Sequence, residues 1–151
     1  MIALDDIDRS ILRVLQAKGD LKASEVANQV GLTQPSTWRR IKRLQDEGVI
    51  IGKQARLNKE ALGFGVTVFL GVKLAAKGRV ALADFERAVT AIPEVQLVQH
   101  VLGLYDYRLK VVARDLSDFE RVLRRRIMTL PGAGDVEANV LLTEERRSIA
   151  I

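Results

Sequence analysis

The residues of this chain best suited to chemistry form a cationic cluster in its first third. Four cationic side chains fall within five consecutive positions: Arg39, Arg40, Lys42 and Arg43. On one helix, such side chains can donate hydrogen bonds to DNA phosphates and to base edges in the major groove. A charge run can equally be a solvated helix face, and the cluster alone does not separate these two interpretations.

The elements that would position this cluster favour contact with DNA. Apolar residues at helical spacing predict a short helix that is broken at Gly31. Thr33, followed by Pro35, predicts the cap and the first turn of the next helix. A short helix, a turn that contains glycine and a second, basic helix make up a helix-turn-helix, whose second helix enters the major groove.

The second helix of this motif has a predicted inner face and a predicted outer face. Thr37, Ile41 and Leu44 are spaced at i, i+4 and i+7 and should face the core. Trp38 lies beside this stripe, so partial burial is favoured slightly over a position against the DNA backbone. The residues predicted to contact DNA are Gln34, Ser36, Trp38, Arg39 and Lys42, together with Arg40 and Arg43 at the flanks, which suit phosphate contacts better.

The rest of the first 62 residues predicts two helices, a hairpin and a link. Acidic residues within positions 5–8 predict the cap and the first turn of the first helix. Ser24 is the predicted cap of the second helix. Two β-prone pieces around Gly52, within residues 49–57, predict a small hairpin, or wing, and residues 58–62 predict a short helical link.

The remaining residues have the pattern of an α+β domain. Alternating apolar residues predict strands, amphipathic stretches predict helices, and Ser117 is the predicted cap of the second of these helices. The predicted elements are a strand at 66–74, a helix at 79–92, strands at 95–102 and 107–113, a helix at 117–130 and a strand at 136–142. The order βαββαβ is the ferredoxin-like arrangement, antiparallel with both helices on one face. We therefore predict a DNA-binding domain and linker at residues 1–62 and a second domain at residues 63–151.

Composition excludes several other classes of function. The chain has 151 residues, 24 Lys and Arg against 19 Asp and Glu, one His and no Cys. Disulfides, thiolate metal sites and a Cys nucleophile are therefore excluded, as are metal sites that need two imidazoles. No apolar run approaches the length of a membrane span. We expect no metal, no cofactor and a cytoplasmic, nucleoid-associated protein, with His100 in a core or an interface.

Several short motifs together resemble the Lrp/AsnC family of transcription regulators. The resemblance covers about residues 4–142 and depends on the order and spacing of many weak motifs. These are Leu4-Asp5 with Asp8 and Ile11-Leu12, Val26-Ala27, Val30–Thr33, Arg39–Leu44, Gly48–Ile50, Pro93–Val95, Gly103 with Asp106-Tyr107, and Leu130–Gly132. The resemblance implies a winged helix-turn-helix followed by a βαββαβ effector and assembly domain, in dimers that often associate into octamers and respond to amino acids.

The same resemblance implies an effector site on the loop between the second and third strands. By it, Gly103 and Asp106 belong to a cleft between subunits, and the carboxylate could meet an effector's ammonium group. The implied site residues are Leu102, Gly103, Leu104, Tyr105 and Asp106, with Val136 and Ala138 of the last strand. Leu102, Val136 and Ala138 occupy positions where the family often has hydroxyl residues. The effector is then more apolar, or the site is degraded, or the loop is mainly structural, with Asp106 capping backbone N–H groups.

The sequence thus predicts a sequence-specific regulator that binds double-stranded DNA as a homodimer or a higher oligomer. One helix-turn-helix makes too few contacts for tight specific binding, so two half-sites are expected. An architectural protein that bridges DNA with little sequence preference is the main alternative. An enzyme related to the sirohaem decarboxylases of this fold is a third and improbable one.

Overall fold

A computed structural model of the chain describes residues 2–76 and 78–151. The chain divides into two compact units, one formed by residues up to Arg56 together with Glu145–Ile151, and the other by Leu57–Glu144. The predicted division had its boundary at residue 62 and assigned residues 145–151 to the second domain. Among the described residues, no helix has the length and apolar character that crossing a membrane requires.

The first unit consists of three short helices: α1 (Asp6–Ala17), α2 (Ala23–Val30) and α3 (Gln34–Asp46). As predicted, an acidic residue caps α1: the carboxylate of Asp5 accepts the Asp8 N–H at 2.7 Å, and the Asp8 carboxylate accepts the Asp5 N–H at 3.2 Å. The prediction that Ser24 caps α2 is wrong. The helix begins after Lys22, whose N–H donates to the Glu25 carboxylate at 2.7 Å, because a carboxylate three residues on can satisfy that donor without a hydroxyl.

Residues 145–151 belong to the first unit because they are anchored on α1. The Arg13 guanidinium donates to the Ile151 backbone oxygen at 2.7 Å. With its amide oriented to satisfy both groups, Gln16 donates to the Ile149 oxygen at 3.0 Å and accepts its N–H at 2.9 Å. The side chain of Ile151 is partly buried against the apolar core formed by Ile11, Leu12, Leu15, Val26 and Leu44. These contacts join positions more than 130 residues apart, so the local pattern of the tail does not predict them.

The two β-prone pieces within residues 49–57 do not pair as the predicted hairpin, since residues 51–57 form no strand. A two-residue hairpin turn of the favoured type needs a positive φ, and Gly52 is not among the glycines with one. Residues 58–62, predicted as a helical link, form a hydrogen-bonded turn closed by the Phe64 N–H on the Lys59 oxygen at 2.9 Å.

The second unit has the predicted βαββαβ order. Its elements are β1 (Val66–Leu74), α4 (Arg79–Thr90), β2 (Val95–His100), β3 (Tyr107–Ala113), α5 (Leu116–Val122), which continues as a π-helical segment at Leu123–Ile127, and β4 (Ala133–Val140). The four strands form one antiparallel sheet in the order β2-β3-β1-β4. Ser117 is not the cap of α5: the Asp115 carboxylate accepts the Asp118 N–H at 2.7 Å, so the cap lies two residues before the predicted position.

One face of the sheet packs against the helices, and the helices of the described chain do not cover the other face. Val68, Leu70 and Val72 of β1 are fully buried with Phe85 and Val89 of α4 in one apolar core. Since successive strand residues point to opposite faces, the intervening β1 residues lie on the other side, which we call the open face. The open face comprises Phe69 and Gly71 of β1 and their register partners Lys110, Asn139, Arg108 and Glu137.

Candidate nucleic-acid interface and ligand cavity

The helix α3 presents the faces that its sequence predicts. Thr37 and Leu44 are buried, and Ile41 is partly buried against the same core. Gly31 ends α2 in the left-handed conformation, with φ 70°, and the Thr33 hydroxyl accepts the Ser36 N–H at 3.4 Å to begin α3. The turn and the cap therefore hold α3 by its apolar face and leave the opposite face exposed.

Trp38 is 56% exposed, so the slight preference for burial was wrong. Trp38 follows Thr37 by one residue, which is about 100° of rotation around the helix, so its ring projects beside the core rather than into it. An exposed indole beside a row of cations is available to lie against a DNA backbone, which was the alternative that the sequence analysis gave for Trp38.

Two of the predicted DNA-binding cations are held within the unit by acidic residues. Arg40 Nη1 lies 2.7 Å from Asp5 Oδ2 and 2.8 Å from Asp8 Oδ1. Arg43 Nη2 lies 2.5 Å from the second Asp8 oxygen, and the Asp8 side chain is only 1% exposed. The Asp8 N–H and the Arg40 guanidinium lower the pKa of Asp5. The hydrogen bonds that Arg40 donates, first to Asp5 and then to Asp8, raise the pKa of Arg40.

The other two cations are exposed on the outer face of α3. Arg39 has no acidic partner within ion-pair distance among residues 2–76 and 78–151. Lys42 Nζ lies 2.5 Å from Asp46 Oδ1, one helical turn later, with the two side chains 52% and 59% exposed. Gln34 is exposed and Ser36 is half-buried. The structure therefore places Gln34, Arg39 and Lys42 in solvent, where the sequence predicted contacts with DNA.

In the second unit, a cavity of about 470 Å³ lies on the open face of the sheet. The loop after β2 contributes Gly103, Leu104 and Tyr105 to it, three of the residues that the sequence analysis assigned to an effector site. The strands contribute residues that the sequence analysis did not single out, which are Phe69, Gly71, Arg108, Glu137 and Asn139. The cavity combines apolar walls with a carboxylate, a guanidinium and an amide, a combination suited to a small polar ligand.

Tyr105 packs over Gly71 and closes one side of this cavity. A Cβ atom at Gly71 would lie 2.7 Å from Cδ2 of the Tyr105 ring, so only glycine leaves room for the ring. The Tyr105 hydroxyl donates to Glu137 Oε2 at 2.5 Å. This hydrogen bond raises the pKa of Tyr105 and, with a weaker one from Asn139, lowers the pKa of Glu137.

The predicted residues of β4 lie on the wrong side of the sheet for this cavity. Val136 and Ala138 pair with Val72 and Leu70, both of which face the helices, and Val136 packs against that core. The next residue in each case, Glu137 and Asn139, faces the cavity because strand residues alternate. The sequence did indicate which residues of β4 face the helices, since Val136 and Val140, four residues apart, lie on the same, apolar side of the strand.

Two residues of the loop are placed differently from the others. Leu102 is fully exposed and is not part of the cavity wall. The Asp106 carboxylate accepts the N–H of Leu74 at 2.8 Å, and its own N–H donates to the Val72 oxygen at 3.0 Å. Asp106 therefore fixes the loop to the end of β1. A role for Asp106 in capping backbone N–H groups was considered from the sequence, and here the N–H belongs to Leu74, which is distant along the chain.

The remaining chemistry-bearing residues of the second unit make ring contacts, hydrogen bonds and ion pairs. His100 stacks on Tyr107 with ring centroids 4.9 Å apart. Burial, and then a hydrogen bond to Glu86 at 2.5 Å, raise the pKa of Tyr107. Within residues 2–76 and 78–151, no three acidic or His side chains come close enough to hold a metal ion. Three consecutive arginines, at positions 124–126, lie on the surface of the second unit. Arg124 pairs with Glu120, and Arg126 lies 3.0 Å from Glu94.

Both halves of the chain match known protein families. Residues 4–51 match the winged helix-turn-helix DNA-binding family, and residues 67–150 match the Lrp/AsnC ligand-binding domain. The first match covers α1, α2 and α3, and the second covers the sheet and the open-face cavity.

Two relatives match this chain along most of their own length. The chain is 34% identical over 141 residues to the DNA-binding transcriptional activator DecR of Escherichia coli K12, covering 93% of each protein. It is 33% identical over 145 residues to the leucine-responsive regulatory protein of the same organism, covering 96% of this chain and 88% of the relative.

Solved structures agree along almost the whole chain. A transcriptional regulator from Neisseria meningitidis in complex with L-Met superimposes with a TM-score of 0.91 at 29% identity, covering 99% of this chain and 96% of that one. An AsnC family regulator from Agrobacterium tumefaciens gives 0.87 at 30% identity, covering 98% and 96%. The chain therefore belongs to the Lrp/AsnC family of DNA-binding transcription regulators, which are not enzymes.

Proposed function

We propose that this chain is a sequence-specific regulator in which α3 reads the major groove of its operator. The observation that carries this proposal is the outer face of α3, where Arg39 and Lys42 are exposed above a buried inner face. Gln34 and Trp38 extend that face with an amide and an aromatic ring. Guanidinium, ammonium and amide groups in this position suit both base edges and phosphates.

The test begins with a binding sequence selected from a random pool of duplex DNA. Affinities of the wild type, Arg39→Ala and Lys42→Ala for this sequence and for a scrambled one are then compared by fluorescence anisotropy at fixed salt. Each substitution should lower specific affinity by roughly 5- to 160-fold, equivalent to ~1–3 kcal/mol per lost base contact. Arg125→Ala, which removes an exposed cation of the second unit, is the matched control. Equal loss on both sequences would instead support the architectural alternative.

The protein acts as a homodimer in which a second copy covers the open face of the sheet. A four-stranded sheet with helices on one face leaves the other face to be covered, and Leu97 of β2 is 42% exposed opposite Lys110 on that face. Light scattering should give a multiple of the 16.8 kDa chain mass, up to an octamer. Leu97→Asp should shift the measured mass towards that of a single chain. Val80→Asp, at a residue of α4 that is 74% exposed, should leave the measured mass unchanged.

A small amino acid in the open-face cavity modulates DNA binding. The family of residues 67–150 is a ligand-binding domain, and one structural relative was solved with L-Met. The Glu137 carboxylate suits an ammonium group, the Arg108 guanidinium suits a carboxylate, and Phe69 and Leu104 suit an apolar side chain. A thermal-shift screen of the amino acids should find stabilisation by apolar members, reduced in Glu137→Gln. No shift with any of them would contradict the ligand proposal.

A further inference from the structure

The recognition helix α3 carries four cations, but two of them are already bound to acids of the first helix. Arg40 lies within 2.8 Å of both Asp5 and Asp8, and Arg43 lies 2.5 Å from Asp8. These partners lie 32 to 35 residues away along the chain. Four basic residues in sequence are therefore not four free cations in the folded unit.

Asp8 is the centre of this arrangement, and both of its carboxylate oxygens are in use. One oxygen faces Arg40, while the other accepts from Arg43 and from the Asp5 N–H. The side chain is 1% exposed with both guanidiniums in place, so a guanidinium that leaves takes away a hydrogen-bond donor of a covered carboxylate. A buried carboxylate without its partners is costly, which holds both arginines against competition from DNA phosphates.

The outer cations differ in this respect. Arg39 has no acidic partner in the described part of the chain. Lys42 is paired with Asp46 along the same helix, but both side chains are half-exposed, and such pairs are weak and readily exchanged for phosphate. The four cations thus fall into a held pair and an available pair.

We propose that Asp8 is a positioning residue that withholds Arg40 and Arg43 from DNA, so that Arg39 and Lys42 carry the cationic contacts of α3. This inference rests on the proposed function of α3 as the groove reader. Asp8 also fixes α3 to α1, because its two guanidinium partners lie one helical turn apart on α3. The same carboxylate therefore sets both the orientation and the effective charge of the recognition helix.

The salt dependence of DNA binding tests this partition, because each phosphate contact contributes about 0.9 to the slope of log K against log salt. Arg39→Ala and Lys42→Ala should each make the slope shallower by up to that amount. Arg40→Ala and Arg43→Ala should leave the slope unchanged on non-specific duplex DNA. A decrease of about 0.9 for either of the latter two would overturn the inference. If none of the four changes the slope, the proposed function of α3 fails instead.

Asp8→Asn provides the converse test, because it keeps the side-chain shape and removes the charge. Arg43 loses its acidic partner, whereas Arg40 keeps Asp5, so the slope should steepen by about 0.9 to 1.8. Lowering salt from 200 to 50 mM should then strengthen non-specific binding roughly 3.5- to 12-fold more than in the wild type. Asp46→Asn, the matched control, should change the slope little. A folded Asp8→Asn protein with the wild-type slope would contradict the proposal. If this variant does not fold by circular dichroism, the Arg40→Ala and Arg43→Ala slopes decide.

Discussion

Replacing Gly71 with alanine is expected to displace Tyr105 and open the cavity of the second unit. The new Cβ would lie 2.7 Å from Cδ2 and 2.8 Å from Cγ of the Tyr105 ring. Carbon atoms in good contact are about 3.5–4.0 Å apart, so the ring must withdraw by roughly 1 Å. Tyr105 belongs to a loop rather than to a strand, so the loop moves and the ring loses its position over β1.

The cost follows from this contact. Forcing one extra carbon into an occupied space destabilises a protein by about 1–3 kcal/mol. For a unit of this size, each kcal/mol corresponds to ~4–8 °C in Tm, so a cost of about 2 kcal/mol lowers Tm by roughly 8–16 °C. The Tyr105 hydroxyl also leaves Glu137, which removes the main cause of the raised pKa of Tyr105 and of the lowered pKa of Glu137.

Thermal denaturation and an NMR titration of the two side chains measure both consequences. In Gly71→Ala, the pKa of Tyr105 should fall and the pKa of Glu137 should rise, each towards its ordinary value. Gly103→Ala is the matched control, because a Cβ at Gly103, on the same loop, would meet no atom within 4 Å. A Gly71→Ala protein with unchanged Tm and unchanged titration would refute the assignment of the Tyr105 position.

Three further predictions concern caps, acid stability and the tail. Asp115→Ala should destabilise the second unit by about 1 kcal/mol through loss of the α5 cap, and Ser117→Ala should not, as chemical denaturation would show. The fold lowers the pKa of Asp5. The ionised carboxylate therefore contributes to the free energy of unfolding above its ordinary pKa of 3.8, and this contribution is lost as pH falls through the lower folded value. In Asp5→Asn, the free energy of unfolding should fall less steeply as the solution is acidified. Arg13→Ala removes the hydrogen bond to Ile151, so residues 145–151 should be cleaved faster in limited proteolysis, with unchanged helix content by circular dichroism.

Several predictions that depended on local spacing agree with the structure. The Asp5 cap, the Thr33 cap and the buried stripe of α3 each involve residues within one or two helical turns of one another. β1 and β3 have the predicted bounds. The two wrong caps are errors of position, because the Glu25 carboxylate accepts the N–H of Lys22, which begins α2, and the Asp115 carboxylate accepts the N–H of Asp118.

The candidate sites were predicted less completely. The loop residues Gly103, Leu104 and Tyr105 line the cavity, but its polar side chains come from Arg108 and Glu137, on strands that the register brings to either side of Gly71. Pairing register depends on contacts between strands that are distant along the chain, so periodicity within one strand does not determine which loop its residues face.

The sequence by itself determined the helix-turn-helix, the βαββαβ order and the presence of four cations on one helix, because caps, turns and apolar periodicity act over a few residues. Only the tertiary structure decided which cations are available, because the acids that bind Arg40 and Arg43 come from another helix. Tertiary contacts likewise placed residues 145–151 on α1 and Tyr105 over Gly71. The net charge of +5 is a property of the chain, whereas the charge that α3 presents is set by packing between helices.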